Sequence, residues 1–529
     1  MSASTPPLDD MARAAAYVGA PFDRDEADAV AAFADLAAHA IAPSDRAGDE
    51  FGARLEPEGS VVVAPEVERA YRAFADGGWG TATAPTDAGG GGLGPVASAA
   101  LHELFSSANL ALSLIATLTD SGIRLLARWA TPDQRERYLR PLVSGEWSAT
   151  MCMTEPTAGS DVGALRTTAH PGPDGSWLLD GEKIFITWGE HDLTDNIVHL
   201  VLARTPGAAA GSQGISVFAV PKLLADGTRN GIRCVRLEHK LGIRSSPTCV
   251  MVLDGAFGEL VGGEHQGMEI MFTMMNAARL GIGIQGVAIA QRATEQAWSY
   301  ASTRVQGGVA IAEHPDVRRM LLDLRASTRA MRALVYATAV ADGARADLLT
   351  PIAKAWPTDE AFRLASVALQ VHGGAGYVEE TEIAQLLRDV RIASIYEGTN
   401  GIQAIDLAMR KVRRDDGVAM RDLLDDLAGR TCPDDLRGTL DQGLEAARSA
   451  TRWVLARGDA DVLAGASAYL ELVGTVIAGV MLGEMAAASD ARADDVVDAR
   501  FFAGERLTMV AALVDRIATG AARLDLPAG

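Results

Sequence analysis

Apolar residues recur at helical spacing through most of this chain, and one stretch has a pattern typical of strands. Residues 24–146 are rich in alanine, with apolar positions three or four residues apart, as in Ala27, Val30 and Phe33. This spacing places apolar side chains on one face of an α-helix. Proline and glycine interrupt the pattern. We therefore predict that the chain begins with a domain of several helices.

Residues 148–264 instead carry short runs that alternate or are rich in β-branched residues. The runs are 177–180, 183–187, 197–203, 214–220 and 249–253. Turn dipeptides such as Asp180-Gly181 and Asn230-Gly231 separate them. We predict an antiparallel β domain of moderate size.

Helical periodicity returns at Glu264 and continues to Arg410, with Pro315 and Pro351 expected at helix starts or boundaries. Helices of this length form a bundle. Beyond Arg414, an alanine-rich tail contains three or four further helical runs. The predicted fold class is therefore α+β. Its four predicted domains are an N-terminal helical domain (1–147), a β domain (148–263), a C-terminal helical bundle (264–412) and an additional helical domain (413–529).

Length and charge narrow the class of protein. A chain of 529 residues is too long for one hydrophobic core, so several domains are expected. The net charge of -21 and pI near 4.9 argue against a nucleic-acid or anionic-membrane partner, because the field would repel phosphates. The longest uncharged apolar run, residues 472–483, is shorter than the roughly 20 residues that cross a bilayer. We predict that it is a buried helix.

The four cysteines are widely scattered, without paired spacing. This argues against a disulfide framework and against a thiolate metal site, so no metal ion is expected. The first twenty residues have no basic region followed by a long apolar one, which argues against a secretory signal. We expect a cytoplasmic protein.

The stretch of residues 370–407 presents one candidate catalytic carboxylate, Glu397. A Gly-rich turn lies between two helix-like runs, and the sequence YEGT then breaks the helical periodicity. Beside Gly398 the backbone can approach a ligand, while apolar neighbours desolvate the acid. Such a carboxylate is suited to be a general base. Alternatively, Glu397 merely neutralises Arg388 or Arg391, and local chemistry leaves both interpretations open.

A second motif, MCMTEPTAGSD at residues 151–161, lies where the β pattern begins. Its small residues expose backbone N–H groups that can cradle a pyrophosphate. The alternative is an ordinary turn capped by Glu155 and Asp161. The glycine run at residues 87–94 lacks the Gly-Lys-Ser/Thr ending of a phosphate-binding loop, so we interpret it as a flexible connector.

These two motifs, in this order, resemble the signatures of the acyl-CoA dehydrogenase family over roughly residues 24–410. Residues 188–192 (WGEHD), residues 235–242 (VRLEHKLG) and the added helical tail resemble the long-form, 3-methylmercaptopropionyl-CoA dehydrogenase-like branch. The resemblance implies an FAD enzyme that desaturates an acyl-CoA thioester to the trans-2-enoyl-CoA and passes electrons to electron-transfer flavoprotein. Alternatives are an acyl-CoA oxidase that uses oxygen and a non-catalytic flavoprotein that binds nucleic acid. The acidic charge argues against the last.

The resemblance also implies flavin contacts in the β domain. Thr154 would face the ring, Ser160 the phosphate or the CoA arm, Phe185 would pack on the flavin, and Thr187 would bond near its reactive edge. Strand alternation places Phe185 and Thr187 on one face. The chain departs from the usual pattern at Thr157, where Gly is usual, at Phe185, where Trp is common, and at Trp188, where Asn is common. The implied flavin residues here are Met151, Met153, Thr154, Gly159, Ser160, Phe185 and Thr187.

In the helical bundle, the family pattern implies that Arg304 and the turn at residues 370–374 reach the flavin of a neighbouring subunit. This implies a homo-oligomer, and the added tail favours a dimer. Thr399 and Asn400 would contact the flavin in the same region. The implied flavin residues of the bundle are Arg304, Gln306, Gln370, Gly373, Gly374, Thr399 and Asn400.

The implied substrate contacts surround the predicted base. They are Ser160, Asn276, Arg279, Glu397 and Gly398. In some branches of the family, the base stands just before the arginine that Arg279 matches. That position is Ala278 here, which has no proton-accepting side chain, so we predict that Glu397 is the catalytic base.

Overall fold

The computed structural model of this protein describes residues 7–524, which fold into two compact units. The first unit comprises residues 28–278, and the second comprises residues 279–524 together with residues 7–27. Residues 1–6 lie outside the described residues. They begin the segment in which the sequence predicts no secretory signal. The division into four domains stays a prediction.

The helices that precede the sheet begin at recognisable signals. Proline occupies the first turn of several of them, where its missing N–H costs nothing. Asn109 caps α6 by accepting a hydrogen bond from the Leu112 backbone N–H at 2.9 Å. The helices are α1 (Leu8–Tyr17), α2 (Arg24–Leu36), α3 (Pro43–Phe51), α4 (Pro65–Asp76), α5 (Pro95–Ala108), α6 (Leu110–Trp129), α7 (Pro132–Gln134) and α8 (Arg140–Val143), and the strands β1 (Ala53–Leu55) and β2 (Val61–Val63) pair between α3 and α4.

A seven-stranded sheet follows, and apolar residues fill its interior. Its strands are β3 (Trp147–Cys152), β4 (Thr168–Pro171), β5 (Trp177–Thr187), β6 (Asn196–Arg204), β7 (Ile215–Pro221), β8 (Ile232–Leu237) and β9 (Thr248–Val261). The pairing order is β3-β6-β4-β5-β9-β7, with β8 on β9, and β6 also pairs with β7. The prediction of an antiparallel domain is wrong in one respect, because β3 and β4 pair with β6 in parallel. A hydrophobic pattern identifies strands, but not their partners.

Two predicted turns and connectors differ in the structure. Asp180-Gly181 lies inside β5, where the register against β9 shifts in a bulge instead of ending the strand. The glycine run at residues 87–94 is a hydrogen-bonded loop, not a flexible connector. In that loop the N–H groups of Gly90 and Gly91 donate to the carbonyls of Pro85 and Thr81, both at 2.9 Å.

The second unit is helical. It contains the C-terminal part of α9 (Gly267–Thr303), a hairpin of β10 (Val305–Gln306) and β11 (Val309–Ala310), and nine further helices among the described residues. They are α10 (Pro315–Ala339), α11 (Gly343–His372), α12 (Ile383–Val390), α13 (Asn400–Ile405), α14 (Val418–Ala428), α15 (Asp434–Ala456), α16 (Asp459–Ala487), α17 (Ala493–Glu505) and α18 (Val510–Ala518).

The prediction for Pro315 is confirmed, because it begins α10, but the prediction for Pro351 is wrong. Pro351 and Pro357 both lie inside α11. Pro357 has no N–H for the carbonyl of Ala353, four residues earlier. A Cβ placed on Gly283 of α9 would lie 2.2 Å from that carbonyl oxygen, so α9 approaches α11 where the helix is interrupted. The close packing of α9 on α11 therefore occurs next to a proline that sequence rules treat as a helix boundary.

The C-terminal tail packs directly on α11. The indole N–H of Trp356 donates to the Thr475 hydroxyl of α16 at 3.1 Å, and Gly474 leaves the space that the indole fills. By length and composition, α6 and α16 are each long and apolar enough to cross a membrane. In their most apolar windows, however, 72% of the α6 residues and 78% of the α16 residues are buried inside the protein.

Ion pairs hold α1 within the second unit, although its residues were predicted to belong to the N-terminal helical domain. Arg329 of α10 contacts Asp10 at 3.0 Å and Asp498 at 2.7 Å. Arg13 pairs with Asp495 at 2.5 Å. Because these groups are largely buried, breaking one pair would leave an uncompensated charge.

We predict that Gly283→Ala destabilises the protein by about 1–3 kcal/mol, because the added methyl group meets the backbone of α11. Gly438→Ala in α15 is the matched control, since no atom lies within 4 Å of its Cβ position. The control should be neutral or stabilising by up to about 1 kcal/mol. Urea unfolding of the two variants measures the difference, and equal stabilities would contradict the close contact of α9 with α11.

Candidate active site

The turn that carries Glu397 has an unusual backbone. Glu397 has φ of 54° and Gly398 has φ of 84°, so two consecutive residues are left-handed. This conformation is strained for a residue with a side chain and is often found at functional sites. A Cβ on Gly398 would lie 2.8 Å from Gln403 Nε2 and 3.7 Å from Arg279 Nη2. Glycine therefore lets both side chains approach the backbone beside the carboxylate.

Neighbouring helices hold this turn on both sides. The Tyr396 hydroxyl donates to Gln285 Oε1 of α9, and Gln403 Nε2 donates to the Gly398 carbonyl at 3.2 Å. The Thr399 hydroxyl accepts the Ile402 N–H at 3.2 Å and caps α13. Neither buried glutamine was among the residues predicted from the sequence. Gln285 had a visible signal, since it is the one polar side chain in residues 280–290.

The carboxylate of Glu397 lies within electrostatic range of two buried cations. Arg279 of α9 is 6% exposed and Lys354 of α11 is 0% exposed. Burial raises the pKa of Glu397 to about 7, although Arg279 and Lys354 act in the opposite direction. Burial likewise lowers the pKa of Lys354 to about 7, although Glu397 opposes this. The partly buried carboxyl is thus suited to exchange a proton near neutral pH.

The alternative, in which Glu397 neutralises Arg388 or Arg391, is not supported. Arg388 Nη2 pairs with Glu379 at 3.1 Å. Arg391 Nη1 donates to the Ser394 hydroxyl at 2.5 Å, and neither arginine contributes to the shifted pKa of Glu397.

In the first unit, the loop after β3 is fixed by Glu155. Its carboxylate accepts hydrogen bonds from the Lys183 ammonium at 2.7 Å and from the Thr167 N–H at 3.0 Å. Burial raises the pKa of Glu155, but the charge and hydrogen bond of Lys183 outweigh it, so the pKa is lowered overall. Glu155 thus fixes the turn, while Gly159 and Ser160 are exposed and no atom lies within 4 Å of a Cβ on Gly159. The loop is therefore held in place at Glu155 and exposed at Gly159 and Ser160, where a ligand can approach the backbone.

Beside this loop, β5 presents Phe185. The Ile184 N–H donates to the Thr154 carbonyl at 2.9 Å, which places the loop against the strand. Phe185 has φ of 60°, lies in a bulge of β5, and is 58% exposed. Trp188, also at positive φ, is fully buried, and its indole N–H donates to the Ala111 carbonyl at 3.0 Å. An exposed aromatic ring on a strained strand suits the packing of a planar ring system.

In the second unit, most of the predicted flavin residues lie at or just after the ends of α9 and α11. Arg304 and Gln306 directly follow α9, and both are exposed. Gln370, Gly373 and Gly374 at the end of α11 are exposed as well. The rings of Tyr300 and His372 stack with centroids 4.5 Å apart and so hold the two helix ends together. The structure thus brings these two predicted groups to one place.

Two other predicted residues, Asn400 and Asn276, have different surroundings. The amide of Asn400 donates to the Thr358 hydroxyl at 2.9 Å and accepts from Lys354 Nζ at 2.8 Å, so it is committed to α11. Asn276 is exposed on α9, and the neighbouring Ala278 is buried. The roles of the individual site residues stay predictions.

Each unit, taken by itself, offers groups that suit part of a flavin dinucleotide. The first unit offers an exposed aromatic ring and open backbone N–H groups at Gly159 and Ser160, and the second offers Arg304 and an exposed glycine turn. Four family profiles match consecutive parts of the chain. They are "Acyl-CoA dehydrogenase, N-terminal domain" (27–146), "Acyl-CoA dehydrogenase, middle domain" (150–256), "Acyl-CoA dehydrogenase, C-terminal domain" (265–412) and "Acetyl-CoA dehydrogenase C-terminal like" (420–527). The chain belongs to the acyl-CoA dehydrogenase family.

Relatives and a solved structure agree with this assignment. The chain is 43% identical to 3-methylmercaptopropionyl-CoA dehydrogenase of Ruegeria pomeroyi, over 87% of this chain and 85% of that protein. It is 36% identical to a broad-specificity linear acyl-CoA dehydrogenase of Mycobacterium tuberculosis, over 74% of this chain and 70% of that protein. An acyl-CoA dehydrogenase from Bacillus anthracis, complexed with FAD, has the same fold, with a TM-score of 0.79 over 94% of this chain and 88% of that chain at 22% identity.

The predictions of the family, the fold class, the enzyme class and the FAD cofactor are confirmed. The protein is an FAD-dependent enzyme of acyl-CoA dehydrogenation. The predicted residues that would hold FAD are, in the first unit, Met151, Met153, Thr154, Gly159, Ser160, Phe185 and Thr187, and, in the second unit, Arg304, Gln306, Gln370, Gly373, Gly374 and Thr399. Asn400 was also predicted, but its amide is bonded to Lys354 and Thr358 of α11.

We predict that flavin reduction by an acyl-CoA loses rate as pH falls through about 7. Because the pKa of Glu397 is raised to about 7, the carboxylate becomes protonated as the pH falls below neutrality and can no longer accept a proton. Below that pKa the rate should fall about tenfold per pH unit. Anaerobic stopped-flow bleaching between pH 5.5 and 9 measures the profile, with FAD occupancy checked at each pH. A rate that stays constant down to about pH 5 would contradict the raised pKa.

Proposed function

We propose that this protein desaturates an acyl-CoA thioester between its α and β carbons, giving the trans-2-enoyl-CoA, with Glu397 as the catalytic base. One observation carries the proposal. A partly buried carboxylate stands on a strained turn, within range of two buried cations, and its pKa is raised to about 7. Among the described residues it accepts no hydrogen bond, so its oxygens are available to a substrate proton.

Each residue of the site has a distinct part in the proposed reaction. A carboxylate oxygen of Glu397 takes the α proton, and the bound FAD supplies the acceptor for the hydride that leaves the β carbon. The backbone N–H of Glu397 would donate to the thioester carbonyl oxygen as negative charge develops there. One such donor can lower a barrier by roughly 3–4 kcal/mol. Arg279 and Asn276 would hold the CoA arm.

We propose electron-transfer flavoprotein as the acceptor of the electrons and the cytoplasm as the location. An acyl-CoA oxidase would share the fold and the base but pass electrons to oxygen. The rate at which air reoxidises the substrate-reduced enzyme separates the two. The net charge of -21 argues against a nucleic-acid-associated flavoprotein, and a shift of DNA mobility at low salt would contradict us.

A homodimer fits the exposed ends of α9 and α11. Arg304, Gln370 and the glycine turn are polar groups suited to a phosphate, and large apolar side chains lie near them in the chain. Val305 is 56% exposed and Tyr377 is 85% exposed. Aromatic side chains such as that of Tyr377 are enriched at protein interfaces. We propose that each flavin is held by two subunits of a homodimer.

We predict that Glu397→Gln keeps FAD and acyl-CoA binding but slows flavin bleaching about 10²- to 10⁴-fold, the usual contribution of a general base. A panel of thioesters should begin with 3-methylmercaptopropionyl-CoA and butyryl-CoA and extend to long linear chains. Glu445→Gln, which removes an exposed carboxylate on α15, is the control and should behave as wild type. Near-normal bleaching by Glu397→Gln would mean that another group is the base.

We predict that Arg304→Ala lowers FAD retention, because it removes an exposed cation from the proposed phosphate site. The ratio of FAD to protein after gel filtration measures retention, and light scattering on the same column gives the oligomeric state. Arg452→Ala, at a surface ion pair of α15, should leave both unchanged. A monomer with full FAD occupancy would be incompatible with a shared site.

A further inference from the structure

Three buried lysines of this protein differ in how their charge is compensated. Lys183 pairs with Glu155 at 2.7 Å, and Lys222 pairs with Glu190 at 2.6 Å. Lys354 is 0% exposed, yet among the described residues no carboxylate forms an ion pair with it. A buried ammonium without a direct counter-ion is costly, so its retention points to a function.

The ammonium of Lys354 is instead held by an amide. Lys354 Nζ donates to Asn400 Oδ1 at 2.8 Å, and Asn400 Nδ2 donates to Thr358 Oγ1 at 2.9 Å and to Asp359 Oδ1 at 2.7 Å. Asn400 is the first residue of α13 and follows Glu397 by three residues. The amide therefore joins the helix that carries the cation to the turn that carries the base.

We propose that Lys354, held by Asn400, is a positioning residue whose buried charge keeps the Glu397 carboxylate ionised without hydrogen-bonding to it. This inference rests on the proposed role of Glu397. A direct ion pair would occupy the carboxylate oxygens that must receive the α proton. A cation at longer range favours the charged form of the base and leaves those oxygens open.

The other charged groups around this pair are consistent with that role. Arg279 of α9 also favours the carboxylate of Glu397, but it interacts with Asp406 as well, which offsets part of its charge. Asp359, on the same helix as Lys354, favours the ammonium. Lys354, Glu397 and Arg279 act on one another. The other charged groups that act on them are Asp359 of α11 and, after α13, Asp406 and Arg410.

The test is the pH profile of anaerobic flavin reduction in the Lys354→Met holoenzyme. Without the ammonium, Glu397 should stay protonated to higher pH, so the acid limb should move up by about one pH unit or more. The rate at pH 7 should then fall at least about fivefold, because the ionised fraction of a group whose pKa is about 7 drops from one half to about one tenth. Above about pH 9, wild type and variant should converge, because burial lowers the pKa of Lys354 itself to about 7.

Controls separate charge from structure. Lys411→Met removes a lysine that pairs with Asp347 at 3.1 Å, and it should leave the profile unchanged. Lys354→Gln keeps a hydrogen-bond donor for Asn400 but not the charge. It should show the same displacement, and it serves if Lys354→Met does not fold. FAD content and the melting temperature of the holoenzyme confirm that each variant is intact.

The outcomes distinguish this inference from the proposed function. A displaced limb in both Lys354 variants, with Glu397→Gln inactive, supports the inference. A rate that falls equally at every pH, or a profile that does not move, overturns it while Glu397 stays the base. An active Glu397→Gln variant contradicts the proposed base, and the inference fails with it.

Discussion

The close contact of α9 with α11 is the constraint on which the surroundings of Glu397 depend. Gly283 lets α9 lie against the Ala353 carbonyl, and Gly286 lies against the Pro357 carbonyl, 3.0 Å from its Cβ position. The two helices carry most of what acts on the carboxylate, since Arg279 lies on α9 and Lys354 on α11. Interiors are close-packed, so one methyl group at this contact would displace both cations together.

Burial works in opposite directions on the charges of this site. It disfavours the ionised form of Glu397 and the charged forms of Lys354 and Arg279, while each opposite charge offsets part of the cost. Among the ion pairs and hydrogen bonds of the described residues, none joins either cation to the Glu397 carboxylate. The result is a base that is neither strongly acidic nor permanently protonated, as a proton transfer near neutral pH requires.

The added C-terminal region supports the same helix from its other side. Trp356 lies two residues from Lys354, packs against Gly474 and bonds Thr475 of α16, and its ring lies 6.5 Å from that of Phe502 on α17. This packing buries Trp356, which directly precedes Pro357 in α11. In this protein the tail therefore contributes to the core that packs around α11, the helix that carries Lys354.

The helical and strand-forming regions, the two motifs and the candidate base Glu397 could be predicted from the sequence, because each is visible in a short run of neighbouring residues. It did not predict Lys354, although that residue is the one charge in residues 348–357. It also did not predict that Pro351 lies within a helix or that β3 pairs with β6 in parallel. Those features depend on contacts between segments that are distant in the chain, and such contacts are set by the packing of whole helices and strands.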